Sequence, residues 1–191
     1  MSKMALVIVD CQRGLIDSNP YKKEETVKNI KDLIAASRDK NIEVIYVRHD
    51  GGEGDDLEMG TDNWQIYKDI EPKFGDMIFE KSYNSAFRET GLKAYLDSKK
   101  IKKLILVGLQ TEYCFDTTCK VAFEYGYEII VPEDANTTFD CGDIHAKDIH
   151  EYYNHKIWKS RFANVIETKD VIKDELKVNQ FGFEMKHQCN E

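Results

Sequence analysis

No run in this 191-residue sequence is long and apolar enough to span a membrane as a helix; the longest apolar runs are Ala5–Val9 and Leu104–Val107. Cysteine is sparse and shows no paired pattern. The five cysteines (Cys11, Cys114, Cys119, Cys141 and Cys189) are odd in number and include no CxxC pair. That excludes a disulfide framework and makes a reducing cytoplasm the natural compartment. Positive charge is also short. Lys and Arg number 27 against 35 Asp and Glu, a net charge of −8, so neither nucleic acid nor an anionic membrane is expected as the main partner. Met1-Ser2-Lys3 leads straight into an apolar strand, and no signal peptide is expected. Internal repeats, linkers and a compositional break are absent too. What remains is one domain, expected over residues 1–176, followed by a polar tail over 177–191 that carries two Phe. Such a tail is read either as loose or as an arm onto a partner subunit.

An apolar content of 41% and a charged content of 32% suit a globular domain with a sizeable core. Met4–Val9 is a continuous apolar run ending at Asp10 and reads as a buried first strand. Lys22–Lys40 carries a helical stripe of Val27, Ile30, Leu33, Ile34 and Ser37. Ile42–Val47 is a second strand, followed by a long polar segment from His49 to Pro72 of the kind that forms a lid or binding loop. Asp76–Glu80 is a short third strand ending at Lys81, and Phe87–Lys99 reads as helical. Leu104–Val107 is a fourth strand, bounded by Gly108. Thr111 is placed to cap a helix running to about Gly126. Tyr127–Val131 is a fifth strand, Ile144–Phe162 a helix and Asn164–Ile166 a sixth strand. Thr168 is expected to cap a last helix to about Leu176. Strands alternating with helices predict an α/β fold: a three-layer α/β/α domain around a mostly parallel six-stranded sheet.

Three reactive side chains fall just past strand ends: Asp10, Lys81 and Cys114. Ligands of open α/β sheets bind outside the carboxyl ends of the strands, so these residues are expected to form one site. Cys114 stands in the first turn of its helix, where free N–H groups and the dipole favour a thiolate and an oxyanion. A carboxylate can take the thiol proton and return it to a leaving group, and a lysine favours the thiolate by charge. Singly, each has a plainer reading. Cys114 alone would be a small core residue, Asp10 a cap and Lys81 a solvated charge. Cys11, Cys119 and Cys141 are read as core or surface thiols.

The segments ALVIVDCQ (5–12), EKSYNSAF (80–87), VGLQTEYCFDTT (107–118) and GYEIIVPEDANTTFD (126–140) together resemble the isochorismatase-like cysteine hydrolases. That superfamily includes nicotinamidase, N-carbamoylsarcosine amidase and streptothricin hydrolase. The resemblance implies that Asp10, Lys81 and Cys114 form the family triad. It implies a non-proline cis peptide joining Leu109 to Gln110, and an oxyanion hole from the backbone N–H groups of Gln110 and Cys114. It also implies a small-molecule amide-type substrate, a thioester intermediate and a homo-oligomer, a dimer or tetramer.

Nicotinamidases of that superfamily carry a DxH-type metal site after the second strand. This chain has Val47-Arg48-His49-Asp50-Gly51-Gly52 there, and the remaining histidines lie far along the sequence at no standard ligand spacing. Neither a metal nor another cofactor is therefore expected, and nicotinamidase activity is doubted. Gln12, His49, Trp64, Tyr83 and Tyr113 are candidate substrate-binding residues. His49 is equally readable as a surface loop histidine, and Trp64 as a subunit contact. The rival functions are a vinyl-ether hydrolase of the isochorismatase type, which would lack the cysteine, a binding or scaffolding module, and a thiol redox protein.

Overall fold

The computed structural model describes residues 3–176; the tail at 177–191 lies outside them. Six strands form a single sheet: β1 Lys3–Val9, β2 Glu43–His49, β3 Met77–Lys81, β4 Ile101–Gly108, β5 Glu128–Pro132 and β6 Asn164–Ile166. Their spatial order is β3-β2-β1-β4-β5-β6 and every pairing is parallel. The chain winds outward from β1 to β3, returns to pair β4 against β1, and then winds outward the other way. β1 and β4 therefore flank the switch point of the topology, where the crevice of an open parallel sheet opens.

Parallel strands covered on both faces need apolar residues throughout, and these strands supply them. Ala5, Val7, Val9, Ile45, Val47, Leu104 and Leu106 pack on one face beneath Leu92 and Leu96 of α3 (Leu92–Ser98), Cys119 and Ala122 of α4 (Asp116–Glu124), and Trp158. Leu6, Ile8, Val44, Tyr46, Ile105 and Val107 pack on the other. There they meet Ile16 of α1 (Arg13–Asp17), the stripe Val27, Ile30, Leu33 and Ile34 of α2 (Lys23–Asp39), and Val171. The last elements are α5 (Ala146–Tyr152) and the short α6 (Thr168–Asp170).

Several boundaries differ from the sequence expectation, each for a local reason. β2 runs two residues past Val47, because Arg48 and His49 are paired with Glu80 and Lys81 of β3. The helix expected from Phe87 starts only at Leu92. The intervening turn is held by Thr90, whose Oγ1 donates to Ala86 O at 2.7 Å and accepts from Leu92 N at 3.3 Å. Past Tyr152 the helix expected to Phe162 widens into π-type turns that end at Trp158. Neither expected threonine cap forms: the Thr111 hydroxyl donates to Asn136 Oδ1 at 2.9 Å, and the Thr168 hydroxyl to Asp134 Oδ1 at 2.7 Å.

The long segment after β2 is stitched to the β1–α1 turn. Arg13 N donates to Gln65 O, Gly14 N to Asn63 O and Tyr67 N to Cys11 O, while Leu57, Trp64 and Ile70 are buried beneath it. Among the described residues no helix is long and apolar enough to cross a membrane.

Candidate active site

Three strand ends and one turn converge at the carboxyl edge of the sheet. Asp10 follows β1 directly, with φ of 51°, a left-handed conformation uncommon for a non-glycine residue and shared here by six others outside the site. Its N–H donates to Val47 O at 2.9 Å, which fixes the turn against β2. Lys81 ends β3 and lies beside His49, its register partner at the end of β2. At the end of β4, Gly108 has φ of 125°, and a Cβ there would lie 2.0 Å from Val9 O. Only glycine lets the two chains pass so close. The Leu109–Gln110 peptide bond that follows is cis. Thr111–Phe115 then forms a single π-type turn leading into α4, and Cys114 sits within it.

The charged core of the site is small and dry. Lys81 Nζ lies 2.7 Å from Asp10 Oδ2, and both side chains are at most 2% exposed. The same ammonium donates to Cys114 Sγ at 3.2 Å and faces His49 Nδ1 at 3.2 Å. Asp10 Oδ1 is buried with no hydrogen-bond partner among the described residues. An orphaned carboxylate oxygen beside a thiol is a proton acceptor with nothing yet to accept.

Protonation follows from this dryness. Burial pushes the Cys114 thiol up to about 12; the Asp10 charge adds to the rise and Lys81 opposes it. Burial thus opposes the thiolate that the helix position alone would favour. Burial also raises the Asp10 carboxyl above the usual carboxylate range, with Lys81 pulling it back. Burial and Lys81 together lower the His49 imidazole.

The other expected residues divide. Gln12 is fully buried and its amide is engaged with backbone: Nε2 donates to His49 O at 2.8 Å and Trp64 O at 3.0 Å, and Oε1 accepts from His49 N at 2.8 Å. It staples β2 to the long segment rather than lining a pocket. Trp64 is likewise mostly buried, with the Arg48 guanidinium 3.5 Å above its ring, and Arg48 is itself held by Glu80. That makes it a packing residue. Tyr83 and Tyr113 are exposed, the former under the Arg88 guanidinium at 3.6 Å, the latter next in sequence to Cys114. The Gln110 N–H has no partner among the described residues, as an oxyanion donor requires.

Two residues escaped the sequence reading. Asn84, exposed on the turn after β3, places Oδ1 3.8 Å from Cys114 Sγ. Its sequence signals are its position three residues past Lys81 and its place in the 80–87 segment that carries the family resemblance. Asn136 lies beneath the nucleophile turn, accepts from Thr111 Oγ1 and exchanges hydrogen bonds with Asn154 at 3.1 and 3.2 Å. It lies within the 126–140 segment that carries the family resemblance, but nothing in that segment singles out this role.

Asp10, His49 and Cys114 present ligand-type atoms within 4.8 Å of one another, the one such grouping among the described residues. The Lys81 ammonium is in contact with all three. A divalent cation would have to share that place with a positive charge that is 0% exposed. These residues do not fit a metal.

The isochorismatase domain family matches residues 4–170. Streptothricin hydrolase of Streptomyces noursei is 28% identical over 71% of this chain, although the match spans 50% of that protein's length. Nicotinamidase 3 of Arabidopsis thaliana is 27% identical over 77% of this chain and 76% of its own. Among solved structures, an isochorismatase of Pseudomonas putida KT2440 superposes with a TM-score of 0.83 at 29% identity, covering 87% of this chain and 89% of that one.

Proposed function

Since the chain belongs to the isochorismatase family, a family of hydrolases, we propose that it cleaves a C–N bond of a small amide by covalent catalysis at Cys114. The observation that supports this most is the shared ammonium: Lys81 Nζ lies 2.7 Å from Asp10 Oδ2 and 3.2 Å from Cys114 Sγ. Asp10 Oδ1 takes the thiol proton as sulfur attacks the amide carbon, and the carbonyl π pair moves onto oxygen. The N–H groups of Gln110 and Cys114 hold that oxyanion. Burial opposes a free thiolate, which favours proton transfer and attack in one event once substrate is bound. Collapse of the adduct re-forms the carbonyl and breaks the C–N bond, and Asp10 returns its proton to the leaving amine. Water then attacks the thioester with Asp10 again as base. The acid departs, and the thiolate is reprotonated. Lys81 keeps the net charge of carboxylate and sulfur compensated throughout.

No metal takes part in this scheme. The free thiols Cys11, Cys114, Cys119 and Cys141 suit a reducing compartment. The test is amine or ammonia release from a panel of small primary and N-substituted amides, nicotinamide among them, by wild type and Cys114→Ala. Turnover confined to the wild type supports the proposal; a Cys114→Ala protein that hydrolyses the same amide at the wild-type rate removes it.

A further inference from the structure

A lysine ammonium has three N–H groups and no acceptor. Lys81 Nζ meets three heteroatoms: Asp10 Oδ2 at 2.7 Å, Cys114 Sγ at 3.2 Å and His49 Nδ1 at 3.2 Å. The side chain is 0% exposed, so solvent does not compete for these bonds. If Lys81 donates to Nδ1, then Nδ1 carries a lone pair, and the single proton of a neutral imidazole resides on Nε2. An imidazolium would instead aim an N–H at an ammonium and set two positive charges about 3 Å apart, an unscreened repulsion at this depth.

The ring does not reach this place by chance. His49 is the register partner of Lys81, and both backbone polar groups of His49 are clamped by the Gln12 amide, at 2.8 Å each. We infer that His49 is the positioning residue of the Asp10–Lys81–Cys114 site: a neutral imidazole whose Nδ1 takes the third N–H of Lys81, whose Nε2–H is left for the cleft, and whose protonation releases the lysine. The consequence for catalysis rests on the proposed function; the tautomer does not.

The charged groups around the ring act in both directions. Asp10 after β1, and Asp50 and Asp55 from the following loop, favour the imidazolium, while Lys81 of β3 and burial oppose it; Cys114 faces it as a neutral thiol. The opposing influences prevail and the imidazole titrates below its ordinary value of 6.5. As pH falls through that lowered value, Lys81 loses an acceptor and gains a like-charged neighbour, so the site fails on the acid side.

Long-range 1H–15N correlation spectra of the whole protein, with the His49 signals assigned by their loss in His49→Asn, test the tautomer without substrate. The expected spectrum near neutral pH shows a bare Nδ1 and a protonated Nε2, with a titration midpoint below 6.5 that rises in Lys81→Met. A proton on Nδ1, or an imidazolium at neutral pH, would overturn the inference from the wild-type spectrum alone, even if Lys81→Met does not fold. The second measurement is the rate of Cys114 alkylation by iodoacetamide against pH. Because the thiolate fraction falls with pH in both proteins, the readout is the ratio of their rates: a ratio that changes through the His49 midpoint, the Oδ1 of His49→Asn accepting but not titrating, supports the positioning role; a ratio independent of pH refutes it. Neither result depends on amide hydrolysis. A Cys114→Ala protein that still cleaves amides would sink the proposed function and leave the tautomer untouched.

Discussion

The two ends of this sheet hold lysines in opposite circumstances. At the amino end a cleft of about 560 Å3 is lined by Lys103, Phe123, Tyr127, Glu128 and the Lys159–Asn164 turn. Lys103 is paired there with Glu175 at 3.0 Å and Glu128 at 3.5 Å, near enough to water for the pairs to be screened. At the carboxyl end Lys81 and Asp10 are sealed from solvent, one carboxylate oxygen has no partner among the described residues, and a thiol is drawn into the same contact. The roomy cleft has no thiol among its described lining residues, and its paired lysine is open to water, although the Tyr127 hydroxyl there lacks a hydrogen-bond partner among the described residues. The dry cluster is unsatisfied, and that is what chemistry needs. Volume does not mark the site; a buried charge awaiting a partner does.

Substitutions sharpen the contrast. Cys114→Ala or Asp10→Asn should lower amide turnover by roughly 10³-fold or more, since each removes a step of the covalent path that nothing else supplies; Lys103→Met should leave turnover unchanged. In urea denaturation, Lys81→Met strands the Asp10 carboxylate in the interior and should cost about 3–5 kcal/mol. The double variant Asp10→Asn/Lys81→Met should recover part of that loss, whereas Lys103→Met should cost at most about 1 kcal/mol. Equal losses for the two lysines would dissolve the comparison. Gly108→Ala should also destabilise by roughly 3 kcal/mol or more, because its Cβ meets Val9 O at 2.0 Å with φ at 125°. A smaller effect is expected of Asn84→Ala: about a tenfold loss in kcat/KM, seen mainly in KM if Asn84 binds substrate beside the sulfur. Last, prolonged chelation with EDTA should leave turnover within error, as befits a cluster centred on an ammonium.

Much of this was legible beforehand, for identifiable reasons. The strands Met4–Val9 and Leu104–Val107 are apolar without interruption, and Asp10, Lys81 and Cys114 each follow or end a strand, so topology alone gathers them. His49 was harder to place. Arg48 and His49 are polar, and a reading by hydrophobicity ends β2 at Val47 and consigns His49 to a loop. Only the pairing with Glu80 and Lys81 restores it to the strand and so to the lysine. Gln12 misled in the other direction: two residues past Asp10, it had the right address for a ligand but is held by the His49 and Trp64 backbone. A helix terminus that favours a thiolate at Cys114 is visible in sequence, whereas the burial beside a carboxylate that opposes it is not. The scaffold beneath the nucleophile turn, Thr111 to Asn136 to Asn154, joins residues distant in the chain and left no local pattern to find.

The most direct test of covalent catalysis is intact-mass spectrometry of enzyme quenched in acid during turnover of an amide drawn from the panel. An added acyl mass that maps to Cys114, is released by hydroxylamine and is missing from Cys114→Ala is the expected result. Sustained turnover by Cys114→Ala, or an acyl group carried on any other residue, would contradict it.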